Sequence, residues 1–341
     1  MEITLSYRFR KKTDKWIAER CRQEMIGLAS SIPMVKEKKM VSRFFREFVV
    51  AAGLLGILLP AHADYRSARA AYEHGDYATA LKEFSDAASQ GNVKAENNLG
   101  IMYQKGQGVP VNYTQALAWY RKAADQNFAP AQTSVGYFHA EGFGVSRDYT
   151  QAMVWYRKAA DQNFAQAQNN IGAMYEMGHG VAADPAQAAE WYRKAADQGL
   201  ALGQANLGFL HARGKGVARD DAKAVELYSK AAAQNLPLAQ NNLGYMYAQG
   251  RGVQQDYAAA ASWYRKAAAQ GFGLAGFNLA RLYEQGKGVP QDNAQALSWL
   301  TQSANAGYKP AMRRLAEVYT RGLLGQKPSP ETASRWADKA R

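Results

Sequence analysis

The sequence predicts an all-α protein, an α-solenoid of antiparallel helix pairs stacked with a 36-residue repeat. Three observations carry this. The run Trp119-Tyr120-Arg121-Lys122-Ala123-Ala124 returns in phase at Trp155, Trp191 and Trp263, with Leu227-Tyr228-Ser229-Lys230-Ala231-Ala232 at the missing step, and a period in this range marks stacked repeats. Within one copy, Ala116, Trp119, Tyr120, Ala123 and Ala124 stand at i, i+3, i+4, i+7 and i+8, the spacing of one apolar stripe on a helix. Finally, Gly106-Gln107-Gly108-Val109 recurs at 142–145, 178–181, 214–217, 250–253 and 286–289. A helix of roughly a dozen residues is marginal alone in water, so each unit must be covered by its neighbours.

In chain order, residues 1–39 mix charges with scattered apolar residues and read as an over-extended leader, translation starting at Met40. Residues 40–63 then read as a secretory signal peptide: Arg43 and Arg46, an apolar run from Phe48 to Leu59, and Ala61-His62-Ala63 before a cut at Asp64. The run is too short to span a bilayer comfortably, and Asp64 rather than Cys gives no support to a lipid anchor. The mature protein is therefore expected in the periplasm or outside the cell, with no stable membrane anchor after cleavage; the alternative is a retained anchor with a cytoplasmic tail. Residues 1–63 hold 12 Lys/Arg and 6 Asp/Glu of the chain's 42 and 29, so the formal +13 falls to about +7 from residue 64 onward. The only cysteine, Cys21, leaves with the same segment, so stability must come from packing and not from disulfides.

Residues 64–91 look like a tetratricopeptide helix pair acting as N-terminal cap, with a tight turn at Gly75-Asp76. Six units fill 92–307, and an atypical unit from 308 to 341, with Gly322-Leu323-Leu324-Gly325 and two prolines, closes the array. In each unit the first Gly of Gly-x-Gly-Val suits the left-handed residue that ends a helix, and the second suits a sharp turn. Asn112, Asp148, Asp184, Asp220, Asp256 and Asp292 then stand as N-caps of the second helix. Gln115, Gln151, Gln187 and Gln295 take the capping-box position, and Pro185 the first helical turn. Gly100, Gly136, Gly172, Gly208 and Gly244 fall mid-helix, where Gly costs about 0.8–1 kcal/mol against Ala; close approach of the paired helices, with the Trp-Tyr pair laid over the gap, is the expected offset.

The pattern Asn-Leu-Gly-x-Met-Tyr, Gly-x-Gly-Val, Asp-Tyr, Ala-x-x-Trp-Tyr-Arg-Lys-Ala-Ala closely resembles the Sel-one-like repeat (SLR) family, a relative of the tetratricopeptide repeats, over about residues 64–341. The resemblance implies a right-handed superhelix and an adaptor role in protein complexes; for exported bacterial members it implies envelope maintenance or host interaction. Some cysteine-rich relatives are described as penicillin-binding or β-lactam-hydrolysing, and this chain lacks their cysteines.

Chemistry is sparse. The five histidines form no H-E-x-x-H pair, His62 leaves with the signal, and His139 and His211 fill the slot of Tyr103, Tyr175, Tyr247 and Tyr283, which favours packing over ligation. Residues 271–276 spell G-x-G-x-x-G, but no strand precedes them. No Ser carries a Lys three residues on, so the S-x-x-K nucleophile is absent. No catalytic residue, cofactor or metal site is assigned. The Arg-Lys pairs at 121/122, 157/158, 193/194 and 265/266 read as a solvated face near helix C-termini, the alternative being a salt-sensitive polyanion surface; export argues against nucleic acid.

Recognition is expected on the concave first-helix face, where rows 97, 101 and 105 vary from unit to unit and share one side of the helix. Tyr137, Phe209, Tyr245 and Phe277 supply the apolar anchors. Beside them Asn98, Asn170, Asn206, Asn242 and Asn278 form a ladder, by analogy with related tetratricopeptide grooves able to hold a bound peptide's backbone, since an amide both donates and accepts; the alternative is bonding within and between units. The expected partner is a protein or peptide in extended form, the protein acting as a non-catalytic scaffold. The rivals are a cell-wall or β-lactam-acting enzyme and a polyanion binder.

Overall fold

The computed structural model describes residues 65–341. The leader 1–39, the signal segment 40–63 with its cut before Asp64, Cys21 and His62 lie outside the described residues. Among the described residues there are sixteen α-helices and no strand. The first pair is α1 (Tyr65–Glu73) with α2 (Tyr77–Ser89), followed by α3 (Val93–Lys105) with α4 (Tyr113–Asp125) and α5 (Ala129–Glu141) with α6 (Tyr149–Ala160). Then come α7 (Ala165–Met177) with α8 (Pro185–Asp197), α9 (Ala201–Arg213) with α10 (Asp221–Ala233), and α11 (Pro237–Gln249) with α12 (Tyr257–Ala269). The array closes with α13 (Gly273–Gln285) and α14 (Asn293–Asn305), then α15 (Lys309–Arg321) and α16 (Pro330–Lys339). Each helix packs on the one before and the one after it, which is the α-solenoid expected.

Both turns of a unit are set by local chemistry. At the end of each first helix from α3 onward a glycine takes the left-handed conformation, as at Gly106 (φ 68°) and Gly250 (φ 63°). The next amide then reaches back five residues, Gln107 N to Met102 O and Arg251 N to Met246 O, closing a Schellman motif. The acidic N-caps work as expected: Asp148 accepts from the Gln151 amide and Asp292 from the Gln295 amide, both at 2.9 Å. The capping box does not form its usual return bond. The amide of each cap instead donates to a first-helix carbonyl nine residues back, Asn112 to Tyr103 and Asp148 to His139. That bond closes the Gly-x-Gly loop on itself and leaves the capping-box glutamine nothing to receive from the cap.

The mid-helix glycines also have a structural cause. A Cβ on Gly100, Gly136 or Gly172 would stand 2.6 Å from the ring of Tyr120, Tyr156 or Tyr192. The ring alone fills the gap. The neighbouring tryptophans are half-buried and turn toward the preceding unit, Trp119 onto the Ala68–Phe84–Leu99 cluster and Trp155 onto the Tyr120–Phe138 cluster. Where the second helix carries Leu300 in place of tyrosine, the first carries Ala280 in place of glycine, both buried in one cluster. The loops lock one unit to the last: the second glycine of each Gly-x-Gly-Val turn lies against the N-terminus of the preceding unit's second helix, Gly144 on Tyr113 and Gly180 on Tyr149.

The Arg-Lys ladder sits on the second helices and is largely used. Lys158, Lys194 and Lys266 place their ammonium groups 4.0, 4.0 and 4.2 Å over the rings of Trp155, Trp191 and Trp263, a cation–π contact of about 0.5–1 kcal/mol at exposed sites. The arginines reach the next unit: Arg157 donates to the Tyr175 hydroxyl and Arg265 to the Tyr283 hydroxyl, at 3.1 and 3.0 Å.

Candidate functional site

The variable face divides once it is folded. Row 97 is closed over most of its length: Asn97, Thr133, Asn169, Ala205 and Asn241 are buried between adjacent first helices. Its free variation therefore reflects inter-unit packing in those units, not an open surface. Rows 101 and 105 are open in part: Ile101, Lys105, Tyr137, Ala173 and Phe209 are half-buried, while Met177 is 48% and Tyr245 43% exposed and Glu141, Arg213, Gln249, Arg281 and Gln285 are exposed.

The asparagine ladder is half-buried and hydrogen-bonded inside the solenoid. Asn98 donates to the Tyr65 hydroxyl at 3.1 Å. Asn206 donates to Asn169 at 2.9 Å, and Asn278 to Asn241 at 3.1 Å, so each pair bridges neighbouring first helices. Asn170 accepts from Gln166 at 3.1 Å and hydrogen-bonds the Tyr156 hydroxyl. Asn242 accepts from Asn241 at 3.3 Å and hydrogen-bonds Tyr228. A partner's backbone would meet side chains that already hold these bonds.

The four aromatic anchors differ in what covers them. Tyr137 lies half-buried among Phe138 and Phe143, with ring centroids 6.4 and 5.8 Å away. Phe277 rests edge-on against Tyr308 at 5.5 Å, and Phe209 lies half-buried under the Arg213 guanidinium at 5.7 Å. Tyr245 alone of the four stands exposed, its hydroxyl beside Arg251. Arg251, the middle residue of its Gly-x-Gly turn, pairs with Asp221 at 2.5 Å and donates to the Ala212 carbonyl at 2.6 Å. These bonds run across the boundary between two units.

The hydrogen bond from Arg251, then that from Arg219, holds the Asp221 carboxyl down at about 2, against an ordinary 3.8. The sign follows from linkage: a carboxylate depressed by folding stabilises the protein fully above its unfolded value and loses that contribution as pH falls through the folded one. In Arg251→Ala the Asp221 carboxyl is expected to titrate closer to 3.8, read by carboxyl carbon NMR between about pH 2 and 6. An unmoved titration would mean that Arg219 suffices.

One repeated device escaped the sequence reading. Gln132, Gln168, Gln204 and Gln240 are buried in the first helices. Each accepts from a glutamine at the C-terminal end of its own unit's second helix: from Gln162, just past the Asp161 cap, and from the cap Gln198 at 2.7 Å, from the cap Gln234 at 3.0 Å and from the cap Gln270 at 2.8 Å. Each also donates back to the preceding link, Gln132 to the Ala124 carbonyl and Gln168 to Asn163. The signal was available as two glutamine columns recurring every 36 residues at 132 and 162. In the unit of α3 and α4 the fully buried Glu96 stands in this slot, accepting from Gln126 at 2.6 Å with Lys122 Nζ 3.1 Å away.

His139 is buried, and burial followed by the Arg121 guanidinium holds its imidazole below the ordinary 6.5. Its Nε2 meets Arg121 at 3.1 Å, in the place of the Arg157–Tyr175 contact one unit on. Among the described residues no group of three or more His, Asp or Glu is placed to hold a metal ion, and no helix is long and apolar enough to cross a membrane.

A model of the Sel1 repeat matches residues 93–128, 129–164, 165–200, 201–236, 237–272, 274–308 and 309–341. The chain belongs to the Sel1 repeat family. It is 34% identical to a Sel1 repeat protein from Oxalobacter formigenes, covering 72% of this chain and 96% of that one at a TM-score of 0.65. It is also 34% identical to c5321, a protective antigen present in uropathogenic Escherichia coli strains and displaying an SLR fold, covering 81% of this chain at a TM-score of 0.61. The match spans 64% of the length of that antigen. No curated protein matches the chain. Sel1 repeat proteins are generally non-enzymatic helical scaffolds that mediate protein interactions, and the exposed members of rows 101 and 105, Tyr245 and Met177 among them, are the part of the first-helix face that the packing here leaves uncovered.

Proposed function

We propose that this Sel1 repeat protein is an exported, non-catalytic scaffold that holds a protein or peptide partner along its first-helix groove, without a cofactor, in envelope maintenance or host contact. The observation that carries the reading is Tyr245, a large aromatic left 43% exposed on a face whose neighbouring rows are buried or hydrogen-bonded. Aromatic side chains of this kind supply much of the binding energy where they enter a partner's pocket. The signal-like segment at 40–63 supports export. The protective-antigen relative in uropathogenic E. coli supports the host-contact half of the proposal.

The test is photo-crosslinking in cells from positions 137, 209 and 245 of the full chain, with mass spectrometry of the captured species. One specific partner is expected, and Tyr245→Ala should weaken its affinity at least tenfold, about 1.4 kcal/mol, without lowering the thermal midpoint by more than a degree or two. Turnover of a chromogenic β-lactam by the purified protein, lost on mutation of the same face, would overturn the scaffold reading in favour of an enzyme.

A further inference from the structure

The charges of the first-helix face are not balanced along its length. From α9 onward three acidic groups, Asp221, Glu284 and Glu317, are already held by cations. Asp221 pairs with Arg219 and Arg251. Glu284 pairs with Arg314 at 3.1 Å, and Glu317 with Arg314 and Arg321 at 2.6 and 2.7 Å. Three arginines on these rows carry no carboxylate: Arg213 in row 105, which lies over the Phe209 ring, Arg281 in row 101 and Arg313 in row 97. All three are exposed, and none makes an ion pair among the described residues. Helix ends favour cations, which accounts for Arg213 at the close of α9, but Arg281 lies in the middle of α13 and has no such local reason. Row 97 is buried in the five units from α3 to α11, yet it carries an exposed arginine at 313. Between these cations stands Tyr245. The units before α9 present a mixed face, with Ile101, Tyr137, Ala173 and Met177 beside Lys105 and Glu141.

We infer that the half of the groove from α9 to α15 takes an extended acidic peptide segment, whose carboxylates meet Arg213, Arg281 and Arg313 while an apolar side chain packs on Tyr245. This rests on the scaffold reading above and names the partner's chemistry. Arginine suits the task because its planar guanidinium can grip a carboxylate through two parallel hydrogen bonds. Stacked first helices repeat the same rows at each step, which suits an extended strand of partner chain better than a folded surface.

The experiment uses the purified full chain and a fluorescein-labelled dodecapeptide of alternating Glu and Leu, with its Gln-for-Glu and Lys-for-Glu counterparts, followed by anisotropy. The Glu peptide should bind at least tenfold tighter than the Gln peptide. Arg281→Glu should weaken the Glu peptide at least tenfold, and Arg213→Glu with Arg281→Glu should reverse the preference toward the Lys peptide. If Arg281→Glu loses its helical circular dichroism, Arg281→Gln gives the same comparison at a neutral side chain. Equal binding of the Glu and Gln peptides, abolished for both by Tyr245→Ala, would overturn the acidic inference and leave the groove reading standing. No binding of any peptide, or binding indifferent to Tyr245→Ala, would overturn both. A single-stranded DNA dodecamer that binds as tightly and displaces the Glu peptide would also overturn the inference, since the arginines would then be a general polyanion surface.

Discussion

Gly252→Ala should destabilise the solenoid by about 3–5 kcal/mol, an exceptional cost for adding one methyl group. Two effects add. Gly252 has φ +67°, where an L-residue with a Cβ costs roughly 1–2 kcal/mol. The new carbon would also fall on the Asp221 carbonyl and 2.6 Å from the Ala222 amide nitrogen. Both are backbone atoms of the preceding unit, so no side chain can swing aside and the two units must part. In a one-dimensional array stability is a sum over units and their interfaces. Urea unfolding followed by circular dichroism should therefore split, residues after the damaged boundary melting ahead of those before it. Gly271→Ala is the control: φ is +81°, but nothing lies within 4 Å of its would-be Cβ, so only the roughly 1–2 kcal/mol of backbone strain should appear. Gly271→Asn should cost less still, because asparagine already holds this place at positive φ at Asn127, Asn163 and Asn235. Equal losses for Gly252→Ala and Gly271→Ala would show that strain, not the inter-unit approach, sets the cost.

The second large effect lies inside a unit. Gly172→Ala gains about 1 kcal/mol of helix propensity yet should lose about 2 kcal/mol net, since its Cβ would stand 2.6 Å from the Tyr192 ring. Tyr192→Leu should lose about 2–4 kcal/mol by opening a cavity where a ring 2% exposed had been. It also removes the 2.9 Å bond from the tyrosine hydroxyl to Glu176. The double variant recreates the Ala280–Leu300 pairing that the chain uses three units later. Its loss should fall short of the sum by at least about 1 kcal/mol, the mark of direct coupling. Additivity within about 0.5 kcal/mol would mean that glycine serves something other than the ring.

What the sequence reveals here depends on how many residues a feature spans. The stripe, the glycine turn and the acidic cap each lie within a dozen residues, and each is seen where expected. The glycine at 172 signals close approach in the sequence, which points to a Trp-Tyr pair over it; in the fold Trp191 packs onto the cluster of the preceding unit and Tyr192 alone covers the gap. Row 97 differs in the same way. A helical wheel places Asn169 on one face with Ala173 and Met177, but whether that face is open depends on how far the next first helix rolls toward it, and Asn206 does reach it. The capping box and the glutamine clasp turn on competition for a single hydrogen, which residue spacing alone does not decide. The paired-off acids around Arg314 and Arg251 belong to the same class, since their partners lie 30 residues away in sequence.

The glutamine clasp has a consequence for how such a gene can change. Units from 129 to 272 carry the same two glutamines, so each presents the same clasp pair to its neighbours, with the link residue between them alternating between Asn and Gly. An in-frame gain or loss of 36 codons within that stretch joins matching ends and lengthens or shortens the protein without a mismatched seam. The outer units cannot be traded so freely: Glu96 replaces one clasp glutamine near the start, and Gly276 and Ala306 replace both near the end, where Ser303 bonds the Gly273 carbonyl instead. Natural variants should therefore differ in span by whole interior units, with the terminal ones held constant, much as a train is altered by its carriages and not by its engine.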